Sequence, residues 1–168
     1  MTRQTLVLAA AGGSLALLLG AFAFQFIGGL APCTLCLWQR WPHAAAVLIG
    51  LVSLALPSLA LPSLALNSRA LPLLGMLAAL ATAAIGGFHA GVEQGWWQGL
   101  QSCSGGSLAG IDMGDLLNPA ADVARPVRCD QIAWSMAGLS MAAWNMVISL
   151  ALSALWLMAA LAPRPGNI

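Results

Sequence analysis

Lysine is missing from this 168-residue chain, and six arginines and five acids are all the formal charge it carries. At 7% charged residues, the composition falls far below the quarter or so that covers a soluble domain. An ordinary water-solvated surface is excluded. A net charge of +1 with scattered arginines also excludes the basic patch that nucleic-acid binding needs. Acids and arginines are absent from the long apolar runs as well, which argues against a transporter with charges inside its spans.

What fills the chain instead is apolar: 60% hydrophobic residues and a mean hydropathy of +0.87. Charge-free runs of this kind point to lipid as the solvent. Four stretches qualify as spans: Leu6 to Gly28, Trp41 to about Leu56, Leu71 to about Ala90, and Met136 to Leu161. A membrane helix needs about 20 mostly apolar residues; the second stretch is short before Pro57 and must borrow from a neighbour. The expected fold is all-α: a single polytopic membrane domain over 1–168, a four-helix bundle with a long external loop between helices 3 and 4. Ala21-Phe22-Ala23 resembles a signal-cleavage site, but the apolar run exceeds a signal core, so a retained first helix is expected. Pro32 disfavours a lipid anchor at Cys33.

ALPSL, ALPSL, ALNSR and ALPLL repeat from Ala55 to Leu74, and recurring proline prevents a continuous helix there. The pentads read as a low-complexity turn. The stretch from Glu93 to about Trp134 is the sizeable polar region, holding all five acids, Arg125, Arg128, Cys103 and Cys129. Leu108, Ile111 and Leu116 or Leu117 within it suit a short surface helix. Trp96, Trp97 and Trp134 flank it as an interfacial aromatic belt.

With four spans both termini share one side. Arg3, Arg69 and Arg164 on that side balance Arg40, Arg125 and Arg128 on the other, so arginine does not decide the orientation. Cysteine does: all four fall on one face, and disulfides persist in oxidising compartments such as the bacterial periplasm. That face is placed outside, and the termini in the cytoplasm.

Cys33 and Cys36 form a Cys-x-x-Cys at the membrane edge. Zinc would want a second short knuckle, whereas 25 residues separate Cys103 from Cys129. Haem attachment needs histidine after the second cysteine, and residue 37 is Leu. As inert staples the pairs are unequal: a Cys103–Cys129 bridge would restrict the unfolded chain by about 3.5 kcal/mol, while a Cys-x-x-Cys ring closes almost nothing. Redox exchange suits the first pair better. A helix N-terminus or a nearby cation favours a thiolate, and Arg40 lies four residues after Cys36. Pro42 disfavours a helical Trp41, so a break between the Cys36 turn and the span is expected. Arg40 reads equally as a snorkelling flank residue, Glu93 as a solvated helix-end acid, and His89 and His43 as hydrogen-bonded interfacial residues.

CTLCLWQR before the second span, His89-Ala-Gly-Val-Glu93 closing the third, then GWW, Cys103, Cys129 and W-x-x-x-G-x-S-x-x-x-W-N together resemble the disulfide bond formation protein B (DsbB) family. The resemblance runs from the first span to the last. It implies a four-helix bacterial inner-membrane thiol:quinone oxidoreductase that reoxidises a periplasmic DsbA-like dithiol oxidase and passes the electrons to ubiquinone or menaquinone. It further implies redox-active disulfides Cys33–Cys36 and Cys103–Cys129, with Cys103 attacked by reduced DsbA and Cys36 meeting the quinone. Arg40 matches the arginine beside the quinone, and His89 lies near a histidine implicated in quinone chemistry. Partners would be the DsbA-like protein, the quinone pool and the bilayer, with no nucleic acid and no metal. A vitamin-K-epoxide-reductase-like enzyme places its active pair after the loop pair; here it comes first. A non-enzymatic four-span scaffold with structural disulfides is the third reading.

Overall fold

The computed structural model describes residues 1–55, 69–100 and 127–162. Cys103, Arg125, most of the pentad repeat, the expected surface helix and the C-terminus lie outside the described residues. Four helices occur among the described residues: α1 (Arg3–Phe26), α2 (Thr34–Ala55), α3 (Ala70–Glu93) and α4 (Met141–Leu161). α1, α3 and α4 are long and apolar enough to cross a membrane.

Each helix packs chiefly on two others: α1 on α2 and α4, and α3 on α2 and α4. Contacts between the end of one helix and the start of the next make the bundle up-down-up-down. Arg40 near the start of α2 reaches Gln25 at the end of α1, and Ser140 before α4 reaches Glu93 at the end of α3.

Caps explain where the helices begin and end. Thr2 and Ser140 accept the backbone N–H of Thr5 and Ala143, each at 3.2 Å, as N-cap hydroxyls do. α3 closes on Gly95 at φ +72°, with Trp96 N–H on the Gly91 carbonyl at 2.9 Å and Gly95 N–H on that of Val92 at 3.1 Å. That is the Schellman pattern, which favours glycine at the left-handed position.

Two local expectations differ from the fold. The break expected near Pro42 does not occur; α2 runs through it. Proline removes the helical N–H that the Trp38 carbonyl would otherwise accept, yet the helix continues. Thr82 of α3 donates its hydroxyl to the neighbouring Gln39 carbonyl at 3.3 Å, which ties this part of the α2 backbone to α3. The last helix begins at Met141 rather than Met136, because Ser135–Met136 and Leu139–Ser140 pair as a two-residue hairpin. Ala137 and Gly138 turn it with φ of +51° and +80°, both left-handed, as a type I′ turn requires.

Small residues set the packing at the end away from Cys33. Leu6, Ala10, Ala79, Leu152 and Trp156 form the buried cluster there. A Cβ on Gly75 would sit 2.5 Å from the Trp156 ring, and one on Gly50 2.3 Å from the Ala11 Cβ. Close backbone approach of this kind drives helix association in lipid. The outer faces carry exposed Leu8, Leu19, Leu48, Leu51, Leu77 and Leu150, an apolar coat that water would not tolerate.

Gly75→Ala should therefore lower the melting temperature in detergent, since the indole ring cannot yield as a flexible chain would; overpacking costs about 1–3 kcal/mol. Gly12→Ala, with nothing within 4 Å of the added carbon, should melt as wild type or slightly higher. Fluorescence-detected thermal melts of the two variants check this.

Candidate functional site

Cys33 caps α2: its Sγ accepts the Cys36 backbone N–H at 3.2 Å, and its carbonyl accepts Leu37 N–H at 3.1 Å. One turn of helix therefore brings the Cys36 sulfur back over Cys33, and the two lie 2.7 Å apart. A covalent S–S bond measures about 2.05 Å, so closing the bridge needs a shift of less than an ångström. Cys33 is buried and Cys36 half-exposed. The hydrogen bond between them, with burial, pushes the Cys33 thiol well above its ordinary value. Cys33 thus keeps its proton, and Cys36 is the sulfur left to react, supported first by the hydrogen bond from the Cys33 thiol and then by the positive charge of Arg40.

Arg40 donates to the Gln25 side-chain oxygen at 2.7 Å and to the Ala21 carbonyl at 3.5 Å, and lies 4.7 Å over the Phe22 ring. Its Nε is buried without a partner, and no carboxylate pairs with it among the described residues. Arg40 is half-buried, and these contacts turn its guanidinium toward α1.

His89 stands across from the pair. Its Nε2 lies 3.6 Å from the Cys33 sulfur and 3.8 Å from Glu93, and its ring also bonds the Cys129 backbone. Glu93 is buried rather than solvated, bonded by the Ser140 hydroxyl. Cys129 is disulfide-bonded and fully buried, packed in one cluster with Cys33, Leu35 and Val92. The fold thus gathers Cys33, Cys36, Arg40, His89 and Cys129 at one end. Arg128 and Asp130 pair at the surface beside them; that contact holds the Asp130 carboxyl below the usual range.

Sequence reasoning passed over the residues that tie these together. The Gln39 amide N–H donates to the Leu35 carbonyl at 3.2 Å and to His89 Nδ1 at 3.0 Å. Its oxygen accepts from the Asn145 amide at 2.7 Å, and the Asn145 oxygen meets His43 Nε2 at 2.9 Å. His43 is not interfacial either; it is 3% exposed. The hint available in the sequence was the polar pair Gln39 and Asn145 within otherwise apolar helices.

Between α1, the Cys33 turn and α4 lies a cavity of about 120 Å³. Leu17, Phe24 and Leu30 are among its apolar lining, and Cys36, Arg40, His43, His89 and Glu93 among its polar lining. The cavity's volume is comparable to, and somewhat below, the about 150 Å³ of an apolar cavity that accepts a benzene ring. The orphaned Arg40 Nε and His43 Nδ1 offer polar contacts to ring oxygens. The cavity is thus a small, mostly apolar space with charged and polar side chains beside the cysteine pair.

A family model described as "Disulfide bond formation protein DsbB" matches residues 3–159. The chain belongs to the DsbB family. It is also 34% identical over 142 residues to the "Disulfide bond formation protein B" of Methylococcus capsulatus, covering 83% of this chain and 82% of that protein. No solved structure matches it. As a DsbB-family member it is a membrane oxidoreductase of disulfide bond formation. In this DsbB-family chain Cys36 should be alkylated before Cys33 once both are reduced. Timed iodoacetamide labelling with peptide mass spectrometry reads the order, and Arg40→Met should slow the Cys36 reaction.

Proposed function

We propose that this protein reoxidises a periplasmic DsbA-type dithiol and delivers the electrons to a membrane quinone through two cysteine pairs. The observation that carries this reading is the Cys33–Cys36 pair, its sulfurs 2.7 Å apart, at the wall of a cavity that also holds Arg40, with which no carboxylate pairs among the described residues. In this reading all four helices span the inner membrane, with the termini cytoplasmic and the cysteines periplasmic.

Cys103 and Cys129 serve as the pair that meets the soluble partner. Reduced DsbA attacks Cys103, a mixed disulfide forms, and the second DsbA thiol releases oxidised DsbA and leaves Cys103 and Cys129 as thiols. Exchange with Cys33–Cys36 moves the two electrons inward by the same thiolate-on-disulfide chemistry. Cys36, as thiolate, then faces the quinone. The S–S bond reforms, two electrons and two protons pass to the ring, and hydroquinone leaves. DsbA is a strong oxidant because its dithiol form is stabilised, so an ordinary disulfide reoxidises it uphill; quinone reduction supplies the drive. Arg40 stabilises negative charge on Cys36 and the reduced ring, and His89 holds Cys33 in line.

Purified protein mixed with reduced DsbA and a soluble quinone should bleach the quinone absorbance catalytically. Cys103→Ser should abolish that turnover while quinone still closes Cys33–Cys36; native turnover by this variant would overturn the two-pair relay. Arg40→Met should raise the quinone Michaelis constant by about one to two decades, the worth of a charge-assisted hydrogen bond of about 1.5–3 kcal/mol. Arg40→Lys should be milder, since it keeps the charge and loses the fork. Steady-state kinetics at varied quinone measure both, and the DsbA dependence should stay near wild type.

A further inference from the structure

One backbone carbonyl fixes the hydrogens of the whole buried chain that ends at His43. The Leu35 carbonyl can only accept, so the group of Gln39 facing it at 3.2 Å is the amide nitrogen. The Gln39 oxygen then faces Asn145, which must present its own nitrogen, at 2.7 Å. Thr82 agrees independently. Its hydroxyl hydrogen is committed to the Gln39 carbonyl, so its oxygen accepts from that same Asn145 nitrogen at 3.2 Å. The Asn145 oxygen is therefore the atom 2.9 Å from His43 Nε2, and Nε2 carries the ring proton. His43 Nδ1 is left as a bare lone pair, buried and without a partner among the described residues, on a side chain that lines the cavity.

A bare lone pair discriminates between the two forms of the proposed substrate. A quinone oxygen only accepts, so it meets His43 Nδ1 as acceptor against acceptor. A hydroquinone hydroxyl donates, and the match is restored. We propose that His43 accepts a hydroxyl of the reduced ring, so that the cavity binds hydroquinone more tightly than quinone. The inference rests on the quinone reading above and deepens it. By linkage, a site that prefers the reduced form makes the bound ring a stronger oxidant than the free one. That is the direction needed to draw electrons from Cys33 and Cys36. Asn145, Gln39 and Thr82 act as positioning residues: they hold the tautomer, and only His43 touches the ring.

The test measures binding rather than turnover. Full-length protein carrying Cys36→Ser, which blocks exchange, is titrated calorimetrically with a short-chain benzoquinone and separately with its hydroquinone under reducing conditions. The background should bind hydroquinone the more tightly. His43→Leu should weaken hydroquinone roughly three- to tenfold, the worth of one neutral hydrogen bond, and leave quinone unchanged or tighter. His43→Gln presents either an N–H or a carbonyl, so it should bind both forms alike and erase the preference even if His43→Leu does not fold. Equal shifts of both affinities, or no shift in either, would reduce His43 to a structural residue and overturn the proposal. If the background bound neither form, the quinone reading itself would fail, and this inference with it.

Discussion

The amide of Gln39 is the joint on which the site end of the bundle depends. In lipid no water repairs an unmade hydrogen bond, so a polar side chain buried among helices must be satisfied by its neighbours. Gln39 meets that demand four ways. It donates to Leu35 on its own helix and to His89 on α3, and its oxygen accepts from Asn145 on α4. Its backbone carbonyl takes the Thr82 hydroxyl. The last contact ties the α2 backbone to α3 just before Pro42, in a helix that runs unbroken from the cysteine turn. The Gln39–His89 bond holds the imidazole whose other nitrogen lies 3.6 Å from the Cys33 sulfur.

Among the described residues no carboxylate pairs with Arg40. Burying a guanidinium costs several kcal/mol after relaxation. The contacts Arg40 does make are two hydrogen bonds from a charged donor, at about 1.5–3 kcal/mol each, and a cation–π contact of about 0.5–2 kcal/mol. Those offset the burial without neutralising the charge. An acid partner would satisfy Arg40 completely and end its ability to stabilise a thiolate. Glu93 lines the same cavity as Arg40 but is bonded by the Ser140 hydroxyl and lies beside His89 rather than pairing with the guanidinium.

The chemistry-bearing residues were legible because their signals are local. Cys-x-x-Cys needs four residues, Arg40 follows within one helical turn, and charge-free runs declare themselves by composition. Gln39, Asn145 and His43 were not, since their meaning lies in contacts across 50, 106 and 102 residues. A glutamine near a membrane edge reads as a flank until α3 and α4 are laid against it. Pro42 misled for a related reason: its local rule is real, but α2 is packed along α1 and α3, which no local rule sees. The hairpin before α4 was hidden because Ala137-Gly138 lacks the Asn or Asp that usually announces such a turn.

The two ends of the bundle divide the work of folding and of chemistry. A cavity of about 120 Å³ forgoes packing contacts on the order of 3 kcal/mol, at about 24 cal/mol per Å³. Association in lipid has no hydrophobic effect to make up that loss and relies on contact and polar pairing. The far end provides the contact, where Gly50 and Gly75 let Ala11 and Trp156 approach to distances a methyl group would forbid. The near end provides the pairing, through Gln39 and Asn145. Neither device would serve at the other's place: close-packed glycines would fill the cavity, and a polar chain in the far core would orient nothing. An opening beside Cys36 is possible because the helices are clamped elsewhere.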